Sequence, residues 1–99
     1  MNINVTTTGP VATLHMNGRF DISAHHPFKE AYAPLLQQAG ITMLEVDLAD
    51  VEYVDSSALG MLLMLKERAK ALGKNVVLCK PSHAVAQILD IASLEWRHE

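Results

Sequence analysis

The stretch "LEVDLADVEYVDSSALGMLLMLKERAKALGK", residues 44–74, decides the fold. Its first part alternates Leu44, Val46 and Leu48 with Glu45 and Asp47, the period of a strand that turns one face to a core. From Ser57 to Leu72 the composition favours helix, and Ala58, Leu62, Leu65, Ala69 and Leu72 fall on one side of a 3.6-residue wheel, opposite much of Lys66, Glu67 and Lys70. Gly73 then closes the helix. A strand that passes through Asp55-Ser56-Ser57 into an amphipathic helix implies a helix packed back on its own sheet, and hence an α/β architecture. Asp, Ser and Ser are good helix starters because their oxygens accept hydrogen bonds from backbone N–H groups that the first turn leaves unpaired. A loop that presents a hydroxyl as a cap also presents it to a kinase, so capping and phosphoacceptor roles are compatible here.

On the N-terminal side, "NINVTTT" alternates Ile3 and Val5 with polar neighbours, and "VATLHMNG" alternates Ala12, Leu14 and Met16 with Val11, Thr13 and His15. Gly9-Pro10 between them is turn chemistry, so an antiparallel hairpin opens the chain. "GRFDIS" reads as a loop. A helix starts at Ser23 or its neighbours and runs through "HHPFKEAYAPLLQQAG", with Pro27 in its first turn and Phe28, Ala31, Tyr32, Leu35 and Leu36 at helical spacing. Pro34 is awkward inside that helix because it removes a donor, and Gly40 is the expected stop. Beyond residue 74, "NVVLCK" is a short buried strand and "SHAVAQILDIASL" a helix capped by Ser82 with Val85, Ile88 and Leu89 inward, while Trp96 tucks the tail against the core. The order β-β-α-β-α-β-α gives a mixed sheet: an N-terminal antiparallel hairpin, then parallel strands joined through helices.

Ninety-nine residues, 49% hydrophobic and 19% charged, fit one globular domain spanning residues 1–99. A formal net charge of -3 without a lysine-arginine cluster predicts no direct nucleic-acid binding and no attraction to anionic lipid. No apolar run approaches the roughly 20 residues that span a bilayer, and "MNINVTTTGP" lacks the regions of a secretory signal, so a cytoplasmic location without membrane insertion is expected. The single cysteine, Cys79, reads as a buried strand thiol in a reducing compartment. His25 and His26, with His15, His83, His98 and Cys79 elsewhere, lack ligand spacing, so neither a metal nor a cofactor is expected. Asp47, Asp50 and Asp55 do not make an acid–base pair. There is no Gly-x-Ser-x-Gly elbow, phosphate loop or dinucleotide fingerprint, which reads Ser56 as a substrate rather than a catalyst, in a protein that is not an enzyme.

The chain resembles the STAS-domain family, specifically the bacterial anti-sigma factor antagonists, over nearly its whole length. "MNGRFDIS", residues 16–23, resembles the family's early Gly-x-x-Asp segment. Residues 44–74 resemble its central strand, phosphorylation loop and following helix, and "VVLCKPSHAVAQILDIASL", residues 76–94, its next strand and helix. The resemblance implies a STAS-like single domain in which Ser56 is the phosphoacceptor, Ser57 the helix-start residue beside it, Asp55 the preceding loop carboxylate and Asp21 a nearby surface carboxylate. Ala58 stands where the family often has glycine, which predicts a firmer helix start. The sequence after Trp96 is too short for the family's additional C-terminal helix, which predicts a less covered sheet edge or helical layer.

The function implied is partner switching. The unphosphorylated antagonist binds an anti-sigma factor with a histidine-kinase-like ATPase fold, a serine kinase, and releases a sigma factor; phosphorylation of Ser56 ends the interaction, and a metal-dependent serine phosphatase restores it. The interface is expected around Asp21, Asp55, Ser56 and Ser57, continuing to Met61 and Met64 on the helix, with Met61 the better candidate for a gap-filling core role. Leu59 and Leu63 depart from the core stripe, and the sequence leaves their exposure open. The alternative is a STAS assembly subunit on the cytosolic side of a membrane transport complex, where the same helix binds a permease or ATPase component without a phosphorylation cycle.

Overall fold

A computed structural model describes residues 1–98. The elements are β1 (Asn2–Thr8), β2 (Val11–Phe20), a 3-10 turn (Ile22–Ala24), α1 (His25–Leu36), β3 (Met43–Val54), α2 (Ser56–Ala71), β4 (Asn75–Cys79) and α3 (His83–Ile91). They follow the expected order. The sheet runs β1-β2-β3-β4, with β1 antiparallel to β2 and the other pairs parallel.

The hairpin between β1 and β2 closes through Gly9-Pro10. Gly9 has φ of 58° while Pro10 is held at negative φ by its ring, the sign pattern of a tight type II′ connection. Along β2, Ala12, Leu14 and Met16 enter the core, and along β3 Leu44, Val46 and Leu48 do so. The alternate side chains, Thr13, His15, Glu45 and Asp47, are half-buried and pair across the strands. Thr13 donates to Glu45 at 2.9 Å, Arg97 meets Glu45 at 2.7 Å, and His15 joins Asp47 and Thr6 at 3.0 Å each.

Strand β3 runs six residues past the expected Leu48. Its pairing with β2 slips twice, between His15 and Asn17 and between Gly18 and Arg19, each time by one extra residue on β3. Two bulges therefore change the burial spacing from two to three, and Val51 and Val54 follow Leu48 into the core.

Helix α1 stops at Leu36, before the expected Gly40, whose φ is not positive. Pro34 lies inside its last turn, leaving one carbonyl without its helical donor, and the chain leaves through bonds from Gln37 and Gln38 to Pro34 and Leu35. Helix α2 starts at Ser56 rather than Ser57, and Gly73 does terminate it. With φ of 72° there, Lys74 N–H reaches Ala69 C=O at 2.8 Å and Gly73 N–H reaches Lys70 C=O at 3.0 Å, the paired bonds of a Schellman ending. That ending swings Leu72 off the core stripe, and it is 52% exposed.

Helix α3 carries the expected Ser82 cap, whose hydroxyl accepts from Val85 N–H. Val85, Leu89 and Leu94 join the core cluster, with Trp96 and Ile88 packed at its edge. After α3, Arg97 N–H bonds Leu78 C=O and forms a parallel bridge beside β4.

Candidate partner-binding site

The site lies at the C-terminal ends of β2 and β3, where side chains on the following loops meet in sheets of this kind. Phe20 pairs with Val54, and the N–H of Asp55 then bonds Phe20 C=O at 3.3 Å. Parallel pairing therefore sets Asp21 and Asp55, each the first residue after its strand, next to one another. Both expected carboxylates are brought together.

Each is a helix cap. Asp55 accepts from Ala58 N–H at 3.0 Å and so closes the N-terminus of α2. The capping oxygen belongs to the aspartate and neither serine supplies it. Ser56 is the first helical residue and is exposed; its hydroxyl is engaged by no other described residue. Ser57 follows, half-buried. Asp21 accepts from Ser23 N–H and from the Ser23 hydroxyl, capping the 3-10 turn, and Arg19 stands 3.7 Å away. The Ser23 hydroxyl first, its N–H second and Arg19 more weakly hold the Asp21 carboxyl below the ordinary carboxylate range. Arg19 in turn stacks over the Tyr53 ring at 4.1 Å.

From this corner α2 presents two surfaces. Ala58, Leu62, Leu65 and Ala69 are buried, and Met61 joins them at 8% exposure. Opposite lies a stripe at helical spacing made of Ser56, Gly60, Leu63 and Glu67, flanked by Met64. Met64 is 45% exposed and Leu63 47%, which answers the question the sequence left open for Leu63; Leu59 is half-buried against the core. Met61 thus fills a gap beneath the surface that Met64 presents.

Between α1 and α2 runs an apolar groove of about 270 Å³. Phe28, Tyr32 and Met61 line it together with Ile22 and Met64, and Ser57 and Gly60 form its α2 wall. Phe20, Phe28 and Tyr32 meet edge to face at 5.1 and 5.2 Å, which fixes the α1 wall. Ile22, at 67% exposure, is a large aliphatic side chain left in solvent at the groove mouth. His25 and Lys29 also line it. These three residues were not singled out from the sequence as site residues, because only the packing of α1 against α2 brings them beside Ser57.

Gly60 occupies a helix interior, where glycine costs about 1 kcal/mol relative to alanine. Its φ is not positive, and a Cβ built on it meets nothing within 4 Å. The fold of this chain has no steric need for glycine there.

Among the described residues no group of three or more His, Cys, Asp or Glu is placed to hold a metal, and no helix is long and apolar enough to cross a membrane.

A mixed four-stranded sheet with an antiparallel hairpin first, crossover helices after it and an Asp-Ser-Ser helix start defines a STAS-type domain. The chain belongs to the STAS family: the family model described as "Mlab, STAS domain" matches residues 3–96. A STAS-domain containing protein of Pseudomonas aeruginosa is 39% identical over 89 residues, covering 88% of this chain and 84% of its own length. The anti-sigma-B factor antagonist of Staphylococcus epidermidis is 25% identical over 95 residues, covering 96% and 87%. Among solved structures, the anti-sigma factor antagonist SpoIIAA in its unphosphorylated form superposes with a TM-score of 0.81 at 18% identity, over 94% of this chain and 82% of that one. The chain is thus a STAS-domain protein that resembles anti-sigma factor antagonists.

Proposed function

We propose that this protein is an anti-sigma factor antagonist that works by partner switching. Unphosphorylated, it binds an anti-sigma factor with a histidine-kinase-like ATPase fold and so frees a sigma factor; phosphorylated on Ser56, it lets go. A metal-dependent serine phosphatase resets it. The protein is a substrate and a binding surface in this cycle and performs no catalysis itself.

One observation carries the reading. The Ser56 hydroxyl is exposed and unengaged, because Asp55 has taken over the cap. A serine that capped the helix would lose a stabilising bond on phosphorylation, whereas Ser56 can be modified without disturbing α2.

The switch then follows from charge. A phosphoryl group adds about -1.5 to -2 charges. An unpaired negative charge on the partner about 5 Å away opposes it by roughly 3 kcal/mol at an effective dielectric near 20, or about a hundredfold in affinity. Within the free protein the N-terminus of α2 favours the phosphate by about 0.3–1 kcal/mol. Partner exclusion outweighs that gain, so release requires no refolding.

The test is capture from host lysate on immobilised wild type, Ser56→Ala and Ser56→Asp, with mass spectrometric identification and phosphosite mapping. A kinase-like ATPase retained by wild type and Ser56→Ala, depleted on Ser56→Asp, together with phosphate on Ser56, is the expected result. Capture of a transport complex regardless of residue 56 would replace this function with the assembly role.

A further inference from the structure

Resting on the partner-switching reading, we infer that Gly60 is kept bare so that a helix of the anti-sigma factor can cross α2 there, one turn from Ser56, and seat an apolar side chain in the groove between Ile22 and Met64.

Two features of the molecule converge on this. Gly60 weakens α2, has an unstrained backbone and would meet no atom with a Cβ, so no demand of the fold accounts for it. It also sits where the exposed stripe that begins at Ser56 meets the groove wall, between the hydroxyl to be phosphorylated and the solvent-exposed Met64. A bare helix backbone admits close approach by another backbone, as small residues do wherever helices cross tightly.

The occupant's chemistry follows from what surrounds the groove. Its walls are Ile22, Phe28, Tyr32, Met61 and Met64, which suit an aliphatic or aromatic side chain. Lys29 lines the same groove, exposed and without an ion partner among the described residues, so the incoming helix brings a carboxylate to it. An amphipathic helix with an acidic residue beside its apolar anchor meets both of these conditions.

The test uses the full chain. Ser56→Ala is compared with Ser56→Ala/Gly60→Ala, Ser56→Ala/Gly60→Gln and Ser56→Ala/Lys29→Glu, each melted and each used as bait for host lysate with quantification of the kinase-like ATPase. Gly60→Ala is expected to raise Tm by about 4 °C while lowering ATPase recovery severalfold. Gly60→Gln, longer but still a good helix former, lowers recovery at least tenfold, and Lys29→Glu lowers it severalfold.

A lower Tm for Gly60→Ala would mean that the fold itself needs the glycine. Equal recovery on all the Gly60 baits would mean that nothing approaches there. Either result overturns the inference. If the Ser56→Ala bait retains a transport complex and no kinase-like ATPase, partner switching fails. A tenfold loss of that complex on Gly60→Gln would still uphold close approach at Gly60, and no loss would overturn it as well.

Discussion

The parallel strands have two ends, and the chain finishes them differently. Where β3 and β4 begin, the polar groups of the loops bind one another. Thr42 N–H bonds Pro10 C=O at 2.8 Å, Asn75 N–H bonds Thr42 C=O at 3.0 Å, and the Lys74 ammonium donates to the carbonyls of Gln38 and Ile41. Where the strands end, Asp21, Asp55 and Ser82 each spend a side-chain oxygen on the N–H groups of the helix or turn that follows. Those caps fix the helix starts and leave Ser56, Ile22 and Met64 in solvent. One end consumes its hydrogen-bonding capacity internally and holds the fold. The other settles only what positions it and leaves a hydroxyl and a groove open to solvent.

The largest effect that tests this contrast is phosphorylation of Ser56. Affinity for the kinase-like ATPase is expected to fall about a hundredfold, with protein stability unchanged or raised by up to about 1 kcal/mol. Titration calorimetry and melting of the phosphorylated and unmodified forms measure both. A large drop in stability would show that the two ends do not differ as described. Next comes Lys74→Ala at the opposite end. Losing a charged donor to two carbonyls costs about 1.5 kcal/mol in denaturant unfolding, while ATPase binding stays unchanged.

Much of the fold was legible in the sequence. The alternation of Leu44, Val46 and Leu48 and the stripe from Ala58 to Ala69 are local periodicities, and the topology follows from their order. Asp55-Ser56-Ser57 advertises a helix start for the same reason. What escaped is set by tertiary structure. Two bulges lengthened β3 to Val54 by changing its period from two to three. The Schellman ending at Gly73 carried Leu72 out of the stripe. The choice of Asp55 over the serines as cap depended on the extended backbone at that residue, φ -111° and ψ -176°. Nothing local marked Ile22, His25 and Lys29 as neighbours in a groove, which exists only once α1 lies beside α2.

A smaller effect separates capping from charge at the site. Asp55→Ala removes the oxygen that accepts from Ala58 N–H and is expected to cost about 1 kcal/mol. Asp55→Asn keeps an accepting oxygen and costs only a few tenths. Chemical denaturation of the pair reads the cap, and phosphorylation rate by the recovered kinase reads the charge. Equal losses of stability in both variants would contradict the capping role.

The smallest effect concerns acid. Glu45 crosses the middle of the sheet, and its carboxyl is held below its ordinary value of 4.5 first by the Thr13 hydroxyl and then by Arg97, against the opposing effect of burial. A carboxyl whose folded pKa is lowered contributes its full stability above the unfolded value and loses it as the pH falls through the folded one. Wild type should therefore lose stability below about pH 4.5 more steeply than Glu45→Gln, which cannot ionise. Asp21 carries a shift of the same sign and is half-buried as well, but its cation, Arg19, stands 3.7 Å away, against 2.7 Å for Arg97 on Glu45, so Asp21→Asn should change the acid limb less than Glu45→Gln does. Melting temperatures taken from pH 6 down to about pH 3 compare the two substitutions directly. A flatter acid limb in Asp21→Asn than in Glu45→Gln would place the acid-sensitive stability at the Asp21–Asp55 corner rather than in the paired rows of the sheet, and would reverse the division of labour between them.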